Sequence, residues 1–141
     1  MFTETELEYL LSQRLGRLAT SQPDGTLQVN PVGFGVNQEL GTIDIGGFNM
    51  SRSRKYRNVA DNGRAAFVVD DVVTVDPWRI RFIEIRGHAE ATLEPEDGEQ
   101  NGGGSGPIIR LRPERVISAG LQPGDLDRNP HEMAVQRRNI G

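Results

Sequence analysis

The residues best able to do chemistry in this chain lie in one short run, Ser51-Arg52-Ser53-Arg54-Lys55-Tyr56-Arg57-Asn58. Lys55 is the only lysine, and four cations fall between Arg52 and Arg57. From Ser51 to Arg64, five basic residues (Arg52, Arg54, Lys55, Arg57, Arg64) face one acid, Asp61. That window is +4 in a chain of net charge −4, so the remainder carries −8. A concentrated positive site on an acidic protein is a candidate for an anionic ligand. Phosphate suits the donors: lysine brings a mobile point charge, and arginine brings forked N–H groups. Gly46 and Gly47 precede the run and let a ligand approach the backbone. Ser51 or Asn49 is placed to cap a helix whose free N–H groups and dipole favour an anion. Arg54, Arg57 and Asn58 stand at i, i+3 and i+4, so they share a helix face. The same run also reads as a solvated cationic helix face. It is too short, and too poor in aromatics beyond Phe48 and Tyr56, to point to nucleic acid.

Further candidates are Asn30-Pro31-Val32-Gly33 and Gly46-Gly47-Phe48. Small residues on adjacent strands leave a shallow slot for a planar ring, although bulge and turn glycines read the same way. Trp78, the only tryptophan, follows Asp76-Pro77 on a loop, where a large aromatic usually packs or forms an interface. With no cysteine and two histidines, His88 and His131, thiolate chemistry is excluded and a multi-histidine metal site within one chain is not expected. No nucleophile–base pattern indicates a hydrolase, and no side chain is singled out as catalytic.

The elements that must hold these residues follow from pattern. Thr3-x-x-Glu6 has the form of a capping box, and Leu7, Leu10, Leu11 and Leu15 have helical spacing, which predicts a helix over Glu4–Leu15. Strands are predicted at Arg17–Ser21, Leu27–Val36 and Leu40–Ile45, then a polar helix at Ser51–Ala60. A buried strand at Ala65–Val69 and a loop at Asp70–Trp78 follow. Arg79–Glu94 reads as one long strand, with Ile83, Ile85, Gly87, Ala89, Ala91 and Leu93 on one face. Ile80 and Phe82 fall on the other parity, which predicts a bulge near Phe82-Ile83. Glu94–Gly106 is acidic and glycine-rich and reads as a flexible loop. Ile108–Leu111 and Arg115–Ile117 supply the last strands. The pattern predicts one mainly β domain, residues 1–121, as a small barrel, with a polar tail at 122–141 ordered only by contact with something else. No run approaches the ~20 apolar residues of a membrane span, and MFTETELEYLL lacks a basic leader region, so a cytoplasmic protein without membrane contact is expected.

In this order of elements, the run Gly47-Phe48-Asn49-Met50-Ser51-Arg52-Ser53-Arg54-Lys55 precedes Val68-Val69, Arg79 and Ile85-Arg86-Gly87-His88-Ala89-Glu90. It resembles the pyridoxamine 5'-phosphate oxidase-like split β-barrel superfamily. Lys55-Tyr56-Arg57-Asn58-Val59 and Val75-Asp76-Pro77-Trp78-Arg79 look like its deazaflavin branch. The resemblance implies an FMN-binding-protein-like split barrel, assembled as a homodimer with sites at the interface. It implies an oxidoreductase using coenzyme F420, with FMN or a non-enzymatic F420 carrier as alternatives. It places cofactor phosphate on Ser53, Lys55, Arg57 and Asn58, beside Ser51 and Arg54, and the ring along Asn30–Gly33 and Ile45–Phe48. Trp78 would close the site from the partner, and the tail would lie across it.

Overall fold

The computed structural model describes residues 1–92 and 106–140, and its centre is a single eight-stranded sheet. Helix α1 (Glu4–Ser12) starts as its sequence dictates: Thr3 Oγ1 accepts from Glu6 N, and Glu6 Oε1 accepts from Thr3 N. It ends at Ser12 rather than Leu15, because Gln13 is already extended and Leu15 pairs with Gly33. Sheet pairing overrides the helical period there. Strands β1 (Leu15–Ser21) and β2 (Leu27–Gly33) form a hairpin around the expected Pro23-Asp24-Gly25 turn, where Asp24 Oδ1 accepts from Thr26 N at 2.9 Å.

The predicted strand Leu27–Val36 is two strands. β2 stops at Gly33, and β3 (Gly35–Asn37) pairs instead with β4 (Thr42–Ile45). With β5 (Arg64–Thr74), β6 (Arg79–Thr92) and β7 (Ile108–Ala119), the sheet order is β2-β1-β5-β6-β7-β4-β3, so β2 and β3 are its two ends, joined in sequence by Phe34 alone. Ends joined through one residue must lie side by side, and the sheet is therefore rolled into a split half-barrel. Phe34 is buried at this seam, edge-on to Phe67 with ring centres 5.2 Å apart.

β5, β6 and β7 are the long central strands. The predicted Asp70–Trp78 loop is mostly strand, because its acids are held in the sheet: Asp70 pairs with Arg17 and Asp71 with Arg81. Only the turn between Thr74 and Arg79 is irregular. Ile83, Ile85 and Ala89 face the core, and Glu84, Arg86 and His88 face away. No bulge occurs at Phe82-Ile83: the register shifts lie between Val72 and Thr74 and opposite Arg86-Gly87. Ile80 and Phe82 therefore stay on the outer face. The core gathers Leu18, Ile43, Ile45, Phe67, Val69, Ile83, Ile85, Ile109, Leu111 and Val116. Between these core positions in sequence, the fully buried Asp44 and Arg110 stand opposite each other and form a two-bond ion pair of 2.9 and 3.0 Å, which ties β4 to β7.

The tail is more structured than its polarity predicts. Val135–Asn139 forms β8, antiparallel to the second half of β7, and Arg138 reaches Glu6 on α1. The glycine-rich stretch after Leu93 lies outside the described residues up to Gly106. Among the described residues no helix is long and apolar enough to cross a membrane.

Candidate functional site

The cationic run is positioned from its N-terminal side by a buried strand. All of β4 is buried, Gly46 is buried after it, and the chain then surfaces at Gly47, Phe48 and Asn49. Asn49 takes a left-handed conformation (φ 55°), which short polar side chains tolerate, and redirects the chain. Met50 plunges back into the core and starts a 3-10 turn, Met50–Arg52. Helix α2 (Arg54–Asn62) follows.

Neither Ser51 nor Asn49 caps α2; Ser53 does. Its Oγ accepts from Tyr56 N at 3.2 Å and donates to Met50 O at 2.7 Å. The 3-10 turn over Met50–Arg52 takes up Ser51 and delays the start of the α-helix, so the cap falls on Ser53. The cap leaves the N–H groups of Arg54 and Lys55 without intrahelical acceptors. Ser51 is the exposed hydroxyl. The helix closes at Gly63 (φ 68°), where a Cβ would stand 2.4 Å from the His88 ring. Tyr56 and Val59 anchor its inner face, and Tyr56 Oη donates to Thr92 O at 3.2 Å.

The electrostatics of α2 differ from those of the sheet. Four arginines of the sheet and termini meet carboxylates: Arg17 with Asp70, Arg81 with Asp71, Arg112 with Glu90, Arg138 with Glu6. Among the described residues no carboxylate pairs with Arg52, Arg54, Lys55 or Arg57. Arg54 is the least free of the four. Its Nε donates to Gln22 Oε1 at 2.8 Å, and it lies near Asp24, whose carboxyl is held below its usual range chiefly by the Thr26 N–H and only secondarily by Arg54. Arg52 and Arg57 are exposed and Lys55 is half-buried.

Asn58 turns the other way. It is 1% exposed, and its Nδ2 donates to Thr20 Oγ1 at 3.0 Å and Gln28 Oε1 at 3.4 Å. Its Oδ1 is buried, without a partner among the described residues. Asn58 thus bolts α2 to β1 and β2 rather than joining the outward cations. Thr20, Gln22 and Gln28 are the site neighbours that sequence reasoning missed. Their only signal was position, since Thr20 and Gln28 occupy inward places in the alternation of β1 and β2.

The remaining candidates divide by face. Asn30 and Val32 point inward opposite Leu18 and Gly16, while Pro31 and Gly33 point outward opposite Arg17 and Leu15. β2 and β4 are not paired, so the expected slot on adjacent strands does not form between Gly33 and Gly46-Gly47. Both Gly33 and Gly47 nevertheless face open space: a Cβ on Gly47 would meet only the Met50 methyl at 3.6 Å. Phe48, next to Gly47 in the chain, is 96% exposed. Trp78, 59% exposed, sits at the β5–β6 turn, at the opposite end of β6 from Thr92, where α2 docks. Within one chain it does not join the cations.

Residues 2–117 match the family described as pyridoxamine 5'-phosphate oxidase. The 5a,11a-dehydrotetracycline/5a,11a-dehydrooxytetracycline reductase of Streptomyces rimosus subsp. rimosus is 44% identical over 140 residues, covering 99% of this chain and 97% of that protein. Among solved structures, an F420 reductase superposes with a TM-score of 0.57 at 28% identity, over 77% of this chain and 94% of its own. A conserved hypothetical protein of Mycobacterium tuberculosis superposes with a TM-score of 0.66 at 24% identity, over 84% of both chains. An FAD binding protein of Mycobacterium smegmatis gives 0.60 at 22% identity, over 83% of this chain and 93% of its own. The last two likenesses speak to fold alone.

Proposed function

Because the chain belongs to the pyridoxamine 5'-phosphate oxidase family, we propose that it is an F420-dependent reductase acting on a polycyclic dehydro compound of the tetracycline kind. The oxidoreductase class is supported by the reductase 44% identical across nearly the whole chain, and the cofactor by the F420 reductase at 28% identity. The observation that carries the site is the cluster of four cations at α2 with no carboxylate partner among the described residues, while Arg17, Arg81, Arg112 and Arg138 are each paired with one.

These residues fit a phosphate-bearing cofactor. Lys55 and Arg57 supply free charge-assisted donors, and the Arg54 and Lys55 N–H groups open the helix N-terminus to an anion. Ser51 offers a hydroxyl, whereas Ser53 already gives its proton to Met50 O. The open backbone at Gly47 and the bare Phe48 ring offer a flat, partly apolar bed next to the cations. A bound deazaflavin supplies the hydride, so the chain needs only to bind, orient and keep water away.

The enzyme works as a homodimer in this reading. The outer sheet face exposes Leu15, Leu27, Val29 and Val72 beside Ala19, Ala66, Val68 and Phe82, around a cleft of about 290 Å³. A second copy covering it would bring a partner's Trp78 turn toward a site that its own Trp78 does not reach.

Fluorescence titration with F420 and with FMN tests the assignment. F420 binds, and the Lys55→Ala/Arg57→Ala variant binds it more weakly, since each lost charge-assisted bond costs about 1.5–3 kcal/mol, roughly tenfold to a hundredfold in affinity. Unchanged affinity in that variant removes the phosphate site, and binding of FMN alone removes F420. Oxidation of reduced F420 by a dehydrotetracycline then separates an enzyme from a carrier.

A further inference from the structure

A second cleft, of about 450 Å³, lies away from α2, between α1, the start of β6 and the segment Gly120–Asp127. Its volume is within the range of small-molecule sites, ~300–1,000 Å³. Arg81 and Thr92, the strand residue that bonds α2, are eleven positions apart on β6, roughly 35 Å of strand. The cleft is thus separate from the cationic run within the chain.

Its base is a fixed guanidinium. Arg81 Nε binds Asp71 Oδ1 at 2.8 Å, and its Cζ lies 4.9 Å from the centre of the Tyr9 ring. Tyr9 Oη donates to the same Asp71 oxygen at 2.6 Å, so ring, carboxylate and guanidinium hold one another. Among the described residues Nη1 and Nη2 of Arg81 have no partner, which leaves a forked donor for an anionic oxygen pair. The rim has the opposite sign. Glu8 and Asp127 are exposed acids without a cation partner among the described residues.

The wall is built, not loose. Gly120 (φ 80°) passes so close to β6 that a Cβ there would stand 2.7 Å from Arg81 Cβ. Asp125 Oδ2 accepts from Gln122 N at 2.9 Å and closes the turn. Arg79 Nη1 donates to Leu126 O at 2.7 Å and to Arg128 O, pinning the segment to the hairpin. Leu121, Pro123 and Leu126 give the wall an apolar surface.

We infer that this cleft binds a small zwitterionic or amphoteric molecule with an apolar ring, its anionic oxygens on Arg81 and its ammonium group toward Glu8 and Asp127. Either charge alone would meet one like-charged end of the cleft, and a molecule with both satisfies the two ends together. The inference stands on the cleft and does not depend on the α2 reading, because its test uses neither F420 nor activity.

The test is an NMR titration of the ¹⁵N-labelled full chain with three matched probes: phenylalanine, 3-phenylpropionate and phenethylamine. Phenylalanine produces saturable shifts in the amides of Gly120, Gly124 and Asp127 in the millimolar range, and each single-charge probe binds more weakly. Loss of each rim charge, in Glu8→Gln and Asp127→Asn, weakens phenylalanine by about two- to fivefold while the rest of the spectrum stays in place. Arg81→Gln abolishes the shifts, and the rim variants carry the test if that change loosens α1. No saturable shift with phenylalanine, equal affinity for the three probes, or unaltered affinity in the rim double variant would overturn the assignment.

Discussion

Glu6 shows what one buried carboxylate contributes. It is 5% exposed, accepts from Thr3 N, and takes a two-pronged contact from Arg138 of β8. Burial pushes its carboxyl up, but Arg138 and the Thr3 bonds outweigh that and hold it below the ordinary 4.5. A depressed folded pKa contributes stability that is present above the unfolded pKa and lost as pH falls through the folded one. The Glu6–Arg138 link therefore weakens below about pH 4.5. Glu6→Gln lowers thermal stability at pH 7 by about 1–3 kcal/mol, and the gap to wild type narrows below pH 4, as melting curves at the two pH values will show. At this scale the sequence was partly legible. The capping box and the cationic run depend on neighbours a few positions apart. The partners of Asn58 stand 30 and 38 positions away and follow only from strand register.

Elements explain why reading strands from parity succeeded on one face of β6 and misled on the other. Ile83, Ile85 and Ala89 face the core as alternation requires. Ile80 and Phe82 break the pattern, and the expected remedy was a bulge. The structure instead keeps the register and leaves these apolar residues outside, where Ile80 stands opposite Val72 and Phe82 lines a cleft with Ala66 and Val68 of β5. An apolar outer face was an alternative that periodicity within one chain could not choose. The β5–β6 hairpin tip is governed the same way, from a distance: Arg79 fastens it to Leu126 and Arg128. Arg79→Ala frees the tip, so steady-state anisotropy of the single tryptophan, Trp78, falls while the melting temperature changes little. Unchanged anisotropy would show that the turn holds itself.

At the scale of the whole molecule, that outer face is the one through which the proposed dimer would form. Exposed Val29 (65%) and Leu27 (79%) extend it along β2. Val29→Glu places a charge where a second copy would pack, and light scattering then reports a shift from dimer to monomer with the fold retained by circular dichroism. A wild-type monomer at the same concentration would remove the dimer from the mechanism. The rolled architecture was legible as a small barrel from its many strands and tight turns. The seam was not, because a break at one phenylalanine inside an alternating run leaves no compositional mark. That seam also sets how firmly each backbone amide is guarded from solvent. β6 has a partner strand on both sides along most of its length, whereas β2 and β3 are each bonded on one side and meet the other sheet end only through Phe34. Local opening is easiest where a strand has one neighbour. Deuterium uptake will therefore rise outward from β6, slowest at Ile83–Ile85 and fastest along the unpaired sides of Leu27–Gly33 and Gly35–Asn37, so that the protein breathes along the line where its sheet is sewn shut.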